Sequence, residues 1–300
     1  MKKVTILYFL IGTLVFFGEI VSGNAQNKFK EKLNIIVFGA HPDDCDIKFG
    51  GTAALFAEMG HRVKFVALTN GDAGHYEKGG GALAKLRRLE AKEAAKRLGI
   101  EEYITMDNHD AELFPSLDIR HQVIREIRNW KADVVVTHRP VDYHPDHRYT
   151  GILLQDAAFL VIVPNVAPDT PALVKNPVFL YLNDRFQKPY PFQPDIAVDI
   201  TSTMDKKLDA LDAHSSQFYE WLPWIVGTLE DVPEEPKARR AFLKKMRPAK
   251  ISFEIRKSLK KWYGDKKGNE VKYAEAFEIC EYGKQPTEEE IRVIFPMLRK

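Results

Sequence analysis

The sequence predicts an α/β fold, a Rossmann-like, mostly parallel sheet with helices on both faces and a site at the C-terminal ends of the strands. Three observations carry this. From Leu33 to about Asn183, apolar strand-like runs alternate with amphipathic helix-like runs, the pattern of a parallel sheet covered on both faces. Residues fit for catalysis cluster just after the strands, where ligands bind in such sheets. Among them is FGAHPDDCDIKFGG, Phe38 to Gly51, which sets two adjacent carboxylates beside a histidine directly after an apolar strand.

Each element follows from its own pattern. LNIIVFG reads as a buried strand, and GTAALFAEMG as a helix ending at Gly60. RVKFVALT is the second strand, and ALAKLRRLEAKEAAKRLG a long helix stopped by Gly99. EYITM, ADVVVTH and PVFLYLN read as further strands, with SLDIRHQVIREIRNW and HRYTGILLQDAAFLVI as the helices between them. AHPDD follows the first strand, TNGDAGHYEKGGG the second, DNHDAELF the third and HRPVDYHPDH the fourth. Beyond about Pro189 the pattern loosens. DIAVDI and YAEAFEI read as strands, and TMDKKLDALDAHSSQFYEWL as one amphipathic helix. PEEPKARRAFLKKMRP and KSLKKWYGDKKGNE read as charged, solvated segments. Residues 26–300 are taken as one domain.

The 45% hydrophobic content of 300 residues suffices for a full core, and a net charge of +2 from interspersed acids and bases gives no basic field for nucleic acid. The first residues differ in character. Two lysines precede an apolar run from Val4 to Phe17, and Gly23 and Ala25 stand at the −3 and −1 positions of a cut before Gln26. This is the form of a secretory signal peptide, residues 1–25, and predicts a secreted or periplasmic protein with no membrane span after cleavage. An uncleaved anchor is the alternative, although the run is short for a spanning helix. Cys45 and Cys280 are too few for a disulfide framework and leave open one bridge or two free thiols.

The chemistry centres on two stiff turns. His41 and Asp44 share the first, and His147 closes VDYHPDH in the second. Two imidazoles and one carboxylate leave a coordination position open, the layout of a catalytic metal site. The same set could hold zinc, iron, cobalt or nickel. Asp43, left over beside Asp44, is placed as a general base for water. His144 is placed as an imidazolium that steadies an oxyanion or protonates a leaving group, with Asp146 hydrogen-bonded to it, and Tyr143 is a weaker candidate for oxyanion contact. Either motif alone could be an ordinary polar turn, with Asp146 as a helix N-cap. Both together, each after a strand, favour the metal. His75, His109 and His138 are placed near the rim, His61 at the surface and His121 on a helix.

AHPDD, the Gly50-Gly51 pair, TNGDAG, LRRLEAKEAAKRLG, HPDH, SQF at Ser216 to Phe218 and YAEAF together resemble the PIG-L/LmbE family over about Leu33 to Ile279. The resemblance implies a zinc-dependent de-N-acetylase of N-acetylglucosaminyl substrates. It matches His41, Asp44 and His147 to zinc ligands, Asp43 to the base and His144 to the oxyanion or acid group. It also implies substrate binding by Arg87, in the R-x-x-E pattern with Glu90, and places Asp110 near the sugar. A bland alternative for Arg87 is an i,i+3 pair with Glu90 on the helix surface. Cys45 departs from the family, where many members carry Glu, and is expected to adjust the surroundings of the site. The competing readings are a deacylase of a non-sugar amide, a non-catalytic carbohydrate-binding protein, and a non-haem iron oxygenase suggested by the H-x-D spelling of His41-Pro42-Asp43.

Overall fold

A computed structural model describes residues 32–246 and 251–298. The signal-peptide segment and its cut before Gln26 lie outside the described residues. The first half runs β1 (Asn34–Gly39), α1 (Asp44–Glu58), β2 (Arg62–Thr69), α2 (Gly80–Leu98), β3 (Glu102–Asn108), α3 (Leu117–Trp130), β4 (Val134–Thr137), α4 (Pro145–Leu160) and β5 (Val178–Leu182). Then come β6 (Ile196–Asp199), α5 (Met204–Ala213), a π-helical segment Ser216–Trp221, and α6 (Leu222–Ile225). The chain continues through α7 (Pro236–Met246), α8 (Phe253–Tyr263), α9 (Asp265–Glu270), β7 (Ala274–Gly283) and α10 (Glu288–Ile294).

The seven strands form one sheet in the order β3-β2-β1-β4-β5-β7-β6. The first five are parallel, and β7 runs antiparallel between β5 and β6. The mostly parallel α/β sheet is therefore present, with one reversed strand. The chain builds outward from β1 to β3, then returns to lay β4 on the other flank of β1. That reversal of direction opens a crevice beyond the ends of β1 and β4, the place where ligands bind in open α/β sheets.

Alternation along the strands divides the core in two. Ile35 and Val37 join one buried cluster, and Ile36 and Phe38 the other. Cys45 belongs to the first and Cys280 to the second, so the sheet separates the two thiols, and both are free and buried. At the end of β1 the chain doubles back so tightly that a Cβ on Gly39 would come within 2.8 Å of Asp44 Cβ. Only glycine permits that approach, and it draws Asp44 up against the strand end.

Three expectations are corrected. The helix read from Gly51 starts at Asp44, because the acidic residues of the motif form its first turn, where the helix dipole favours carboxylates. The single helix read over 203–222 breaks after Ala213, because His214 and Ser216 are drawn aside by buried carboxylates described below. The charged segments read as solvated form helices, Pro236–Met246 and Phe253–Tyr263, that bury one face. Leu243, Leu259 and Trp262 are fully buried, and the lysines lie along outward faces.

Candidate active site

The crevice beyond β1 and β4 gathers the predicted ligands. His41 Nδ1 lies 3.2 Å from His147 Nε2. Asp44 places Oδ2 3.4 Å from His41 Nδ1 and Oδ1 3.4 Å from His147 Nε2. Asp44 thus turns a different oxygen to each ring, and the donor groups close enough to share one metal ion are His41, His144 and His147, then His41, Asp110, His144 and Asp146, and then Asp44, His138 and His147. His41, Asp44 and His147 are all buried. Asp44 is fixed further by accepting the backbone N–H of His41 at 2.8 Å.

The outer nitrogen of each histidine meets a carboxylate. Asp110 Oδ1 is 3.0 Å from His41 Nε2, with Asp146 Oδ2 at 3.4 Å. Asp142 Oδ1 is 3.0 Å from His147 Nδ1. These are close charge contacts without hydrogen-bond alignment, since His41 Nε2 and His147 Nδ1 make no hydrogen bond, and they set negative charge behind both imidazoles. Burial, which disfavours the charged imidazole, is outweighed at His41 by the carboxylates of Asp110, Asp146 and Asp44, which hold its pKa well above the ordinary value. Asp44 is held well below the usual carboxylate range, because His147 and His138 outweigh its burial. Behind them His138 stacks on the His147 ring at 4.2 Å and brings Nε2 to 3.3 Å from Asp44. Asp142 escaped the sequence reading, although its place two residues before His144 in a motif full of metal donors was a usable signal. His138 was placed only near the rim, whereas it packs against His147 and Asp44.

Asp43, the last residue before α1, is buried, and its carboxylate accepts no hydrogen bond among the described residues. Burial, reinforced by the charge of Asp44, pushes its pKa up against the pull of His214, Arg87 and His41. A carboxyl group raised toward neutrality beside a metal position suits proton transfer in both directions.

His144 is the N-cap of α4, and its Nδ1 accepts the backbone N–H of Asp146 at 3.2 Å. That bond leaves the proton on Nε2, so the ring offers a neutral N–H donor. Burial and the neighbouring His41 and His147 hold its pKa below the ordinary imidazole value. Both features favour a neutral ring over the expected imidazolium. The expected side-chain bond from Asp146 to His144 is corrected. The Asp146 carboxylate turns inward, is fully buried, and accepts the amides of Ala111 at 2.7 Å and Leu113 at 3.3 Å. Asp146 thereby secures the turn that carries Asp110, in which Ala111 adopts a left-handed φ of 69°.

The second wall comes from α2 and the π-helical segment. Arg87 is buried and donates to the Gly74 carbonyl and to Gln217 Oε1. Its guanidinium fills the glycine loop after β2. A Cβ on Gly71, whose φ is +70°, would come within 2.6 Å of Arg87 Cδ, and one on Gly74 within 3.2 Å of Asp110 Oδ2. Glu90 is not paired with Arg87. It accepts the Ser216 N–H at 2.8 Å and the Ser216 hydroxyl at 2.6 Å. The R-x-x-E and SQF motifs are thus two halves of one joint. Below it His214 Nε2 lies 3.2 Å from the fully buried Asp46.

Asp110, expected near the sugar, faces His41 and borders the loop holding Arg87. Tyr143 is 73% exposed at the mouth, its ring 5.7 Å from those of His144 and His147. Cys45 packs into the core with Sγ 3.5 Å from the Val37 carbonyl, away from the donor atoms, and burial raises its pKa so that it stays a thiol. His75 is tied to Glu220 at 2.8 Å and His109 to Asp72 at 2.7 Å.

Comparison with known proteins agrees with this geometry. Residues 36–158 match the PIG-L family, described as GlcNAc-PI de-N-acetylase. The chain is 31% identical over 213 residues to a diacetylchitobiose deacetylase of Thermococcus kodakarensis, covering 66% of this chain and 76% of that protein. It is 28% identical over 204 residues to a 4-oxalmesaconate hydratase of Pseudomonas putida, covering 65% and 78%. The solved N,N'-diacetylchitobiose deacetylase of Pyrococcus horikoshii, bound to an inhibitor, superposes with a TM-score of 0.63 at 26% identity, covering 87% of this chain and 89% of that one.

Proposed function

The chain belongs to the PIG-L family of de-N-acetylases, and from that premise we propose that it is a metal-dependent hydrolase, with zinc as the metal, that removes the acetyl group from an N-acetylated amino sugar or glycoconjugate. The observation that carries this is the convergence of His41, Asp44 and His147 beside an unpaired, buried Asp43. Similarity to the two diacetylchitobiose deacetylases favours an N-acetyl sugar over other amides.

His41, Asp44 and His147 are the residues that hold the ion, which when bound supplies Lewis acidity toward water and the amide carbonyl. Asp43 takes a proton from the attacking water as its oxygen bonds to the acetamide carbon. His144 donates its Nε2–H to the oxygen that gains negative charge in the tetrahedral adduct. Asp43 then returns the proton to the sugar nitrogen as the C–N bond breaks, giving acetate and a free amine. Arg87, held by Gln217 and the glycine loop, steadies the wall against which the sugar lies. Export also belongs to the proposal, on the strength of the Met1–Ala25 pattern. Among the described residues no helix is long and apolar enough to cross a membrane.

The test is amine release from a panel of N-acetylglucosamine and N-acetylgalactosamine saccharides by zinc-loaded protein beside Asp43→Ala. Wild type is expected to turn over, and the variant to lose at least about a hundredfold in kcat with its metal content intact. Near-normal turnover by Asp43→Ala would remove it as the base. No release from any saccharide, with hydration of 4-oxalmesaconate instead, would move the chain to the chemistry named for the Pseudomonas relative.

A further inference from the structure

The sheet ends in an open edge. β3 pairs with β2 alone, so its other side carries no strand among the described residues. Glu101 gives its N–H to Val63 of β2, and by the alternation of a strand Glu102 and Ile104 turn their N–H and C=O groups outward. Such edges are ordinarily blunted by lysine, proline or short length. β3 has seven residues, EYITMDN, with neither lysine nor proline. A groove of about 530 Å³ lies beside it, walled on the other side by α2. Arg88, Lys92 and Lys96 line that wall. They stand four residues apart, hence in one row along the helix. The acids of the groove are already matched: Glu101 bonds Arg62 at 2.7 Å, and Glu102 meets Lys64 at 2.9 Å. The cations are not. Lys92 has no carboxylate partner among the described residues, Lys96 lies 3.8 Å from Glu93 with its side chain 81% exposed, and Arg88 reaches Asp107 at 3.3 Å. Thr105, which also lines the groove, has a buried hydroxyl with no hydrogen-bond partner.

We propose that this groove takes an extended acidic segment of a partner protein, which adds to the sheet as a further strand beside β3 and sets carboxylates at alternate residues against Arg88, Lys92 and Lys96. The spacings agree. Four residues of helix rise about 6 Å, and two residues of strand about 6.6 Å. α2 is the crossover between the parallel strands β2 and β3, so it runs back along the line of the edge. Alternate side chains of an added strand face one side of the sheet, and on the side that α2 covers they meet the row of cations. The free backbone groups of β3 supply affinity, while the cations select acids and fix the register. Nucleic acid fits less well, because the one aromatic residue lining the groove, Tyr103, is buried and offers no face to a base. The inference is independent of the chemistry in the crevice.

The test is fluorescence anisotropy of labelled heptapeptides titrated with the whole protein at low salt, where exposed charges are least screened. The peptide TETETET is compared with TTEEETT, which has the same composition but contiguous acids. The alternating peptide is expected to bind at least about fivefold more tightly, because only it keeps each carboxylate in step with a cation. N-methylation of one alternate set of its amides should weaken it by about tenfold or more, and N-methylation of the other set should not, since only one set faces β3. Lys92 is exposed, so its variants should keep the wild-type Tm. Lys92→Ala should raise the Kd of the alternating peptide by about two- to fivefold, and Lys92→Glu by about tenfold. Equally tight binding of the alternating, contiguous and both methylated peptides, or of single-stranded DNA, would reduce the groove to a plain cationic patch and overturn the proposal. So would a lack of binding by every peptide at millimolar concentration. Self-association of wild type that Ile104→Pro abolishes, with no peptide bound, would overturn it as well and assign the edge to a second copy of the chain.

Discussion

The two walls of the crevice are built on opposite plans. The metal wall comes from two short turns, 41–44 and 142–147, whose donors lie within a few residues of one another and are braced from behind by Asp110, Asp142 and His138. The opposite wall is a joint between distant segments: Arg87 meets Gln217 and Glu90 meets Ser216, partners about 130 residues apart in the chain. The first wall depends on charge held in place, the second on buried polar groups that exist only when the chain is folded. Damage to the first should therefore appear in metal and turnover, and damage to the second in stability.

The largest effect is expected on the metal wall. Asp142→Asn removes the charge behind His147 while keeping its shape, and should weaken metal affinity or turnover by about ten- to a hundredfold. Competition with a chromophoric chelator measures the first and amine release the second. An unchanged chelator curve together with unchanged turnover would show that His147 needs no orienting carboxylate. On the joint, Glu90→Ala strands the buried Ser216 N–H and should cost about 1–3 kcal/mol in urea unfolding, while the surviving folded protein keeps its metal. Equal loss of metal and stability would erase the distinction between the walls.

The smallest effect is a pH dependence beneath the joint. Burial, which lowers the His214 pKa, is outweighed by Asp46, Asp43 and Glu90, so the folded value stands above the unfolded one. A raised folded pKa contributes stability that is fully present below the unfolded value, about 6.5, and is lost as pH rises through the folded value. Wild type should therefore lose Tm as pH rises above about 6.5, and Asp46→Asn should lose less over the same rise. Parallel curves for the two proteins would show that the pair carries no linkage.

The same contrast explains what could be read from the sequence. His41, Asp43, Asp44, His144 and His147 stand in two local turns, each after an apolar strand, so spacing alone brought them forward. The first five strands and their helices were legible because a fully buried strand and an amphipathic helix differ in period. Glu90 was not legible as the partner of Ser216, because nothing local distinguishes a helix glutamate that faces water from one that reaches a remote amide. The break after Ala213 was hidden for the same reason, since Leu208, Leu211 and Phe218 continue a helical stripe and only the pull of Asp46 and Glu90 ends it. Trp262 was lost among lysines whose charge masked a buried stripe. The acceptor role of His144 Nδ1 was not legible, because it depends on cap geometry rather than on neighbours in sequence.

The return of the chain to lay β4 beside β1 has a mechanical consequence. His41 belongs to the half of the sheet made of β1, β2 and β3, and His147 to the half that begins with β4, 106 residues later in the chain. An ion shared by the two is a rivet across the seam between the halves. It closes a long loop, and the longer a closed loop, the more conformational freedom is withheld from the unfolded chain. A protein with two free thiols and no disulfide thus has another route to cross-linking, one that a chelator can undo.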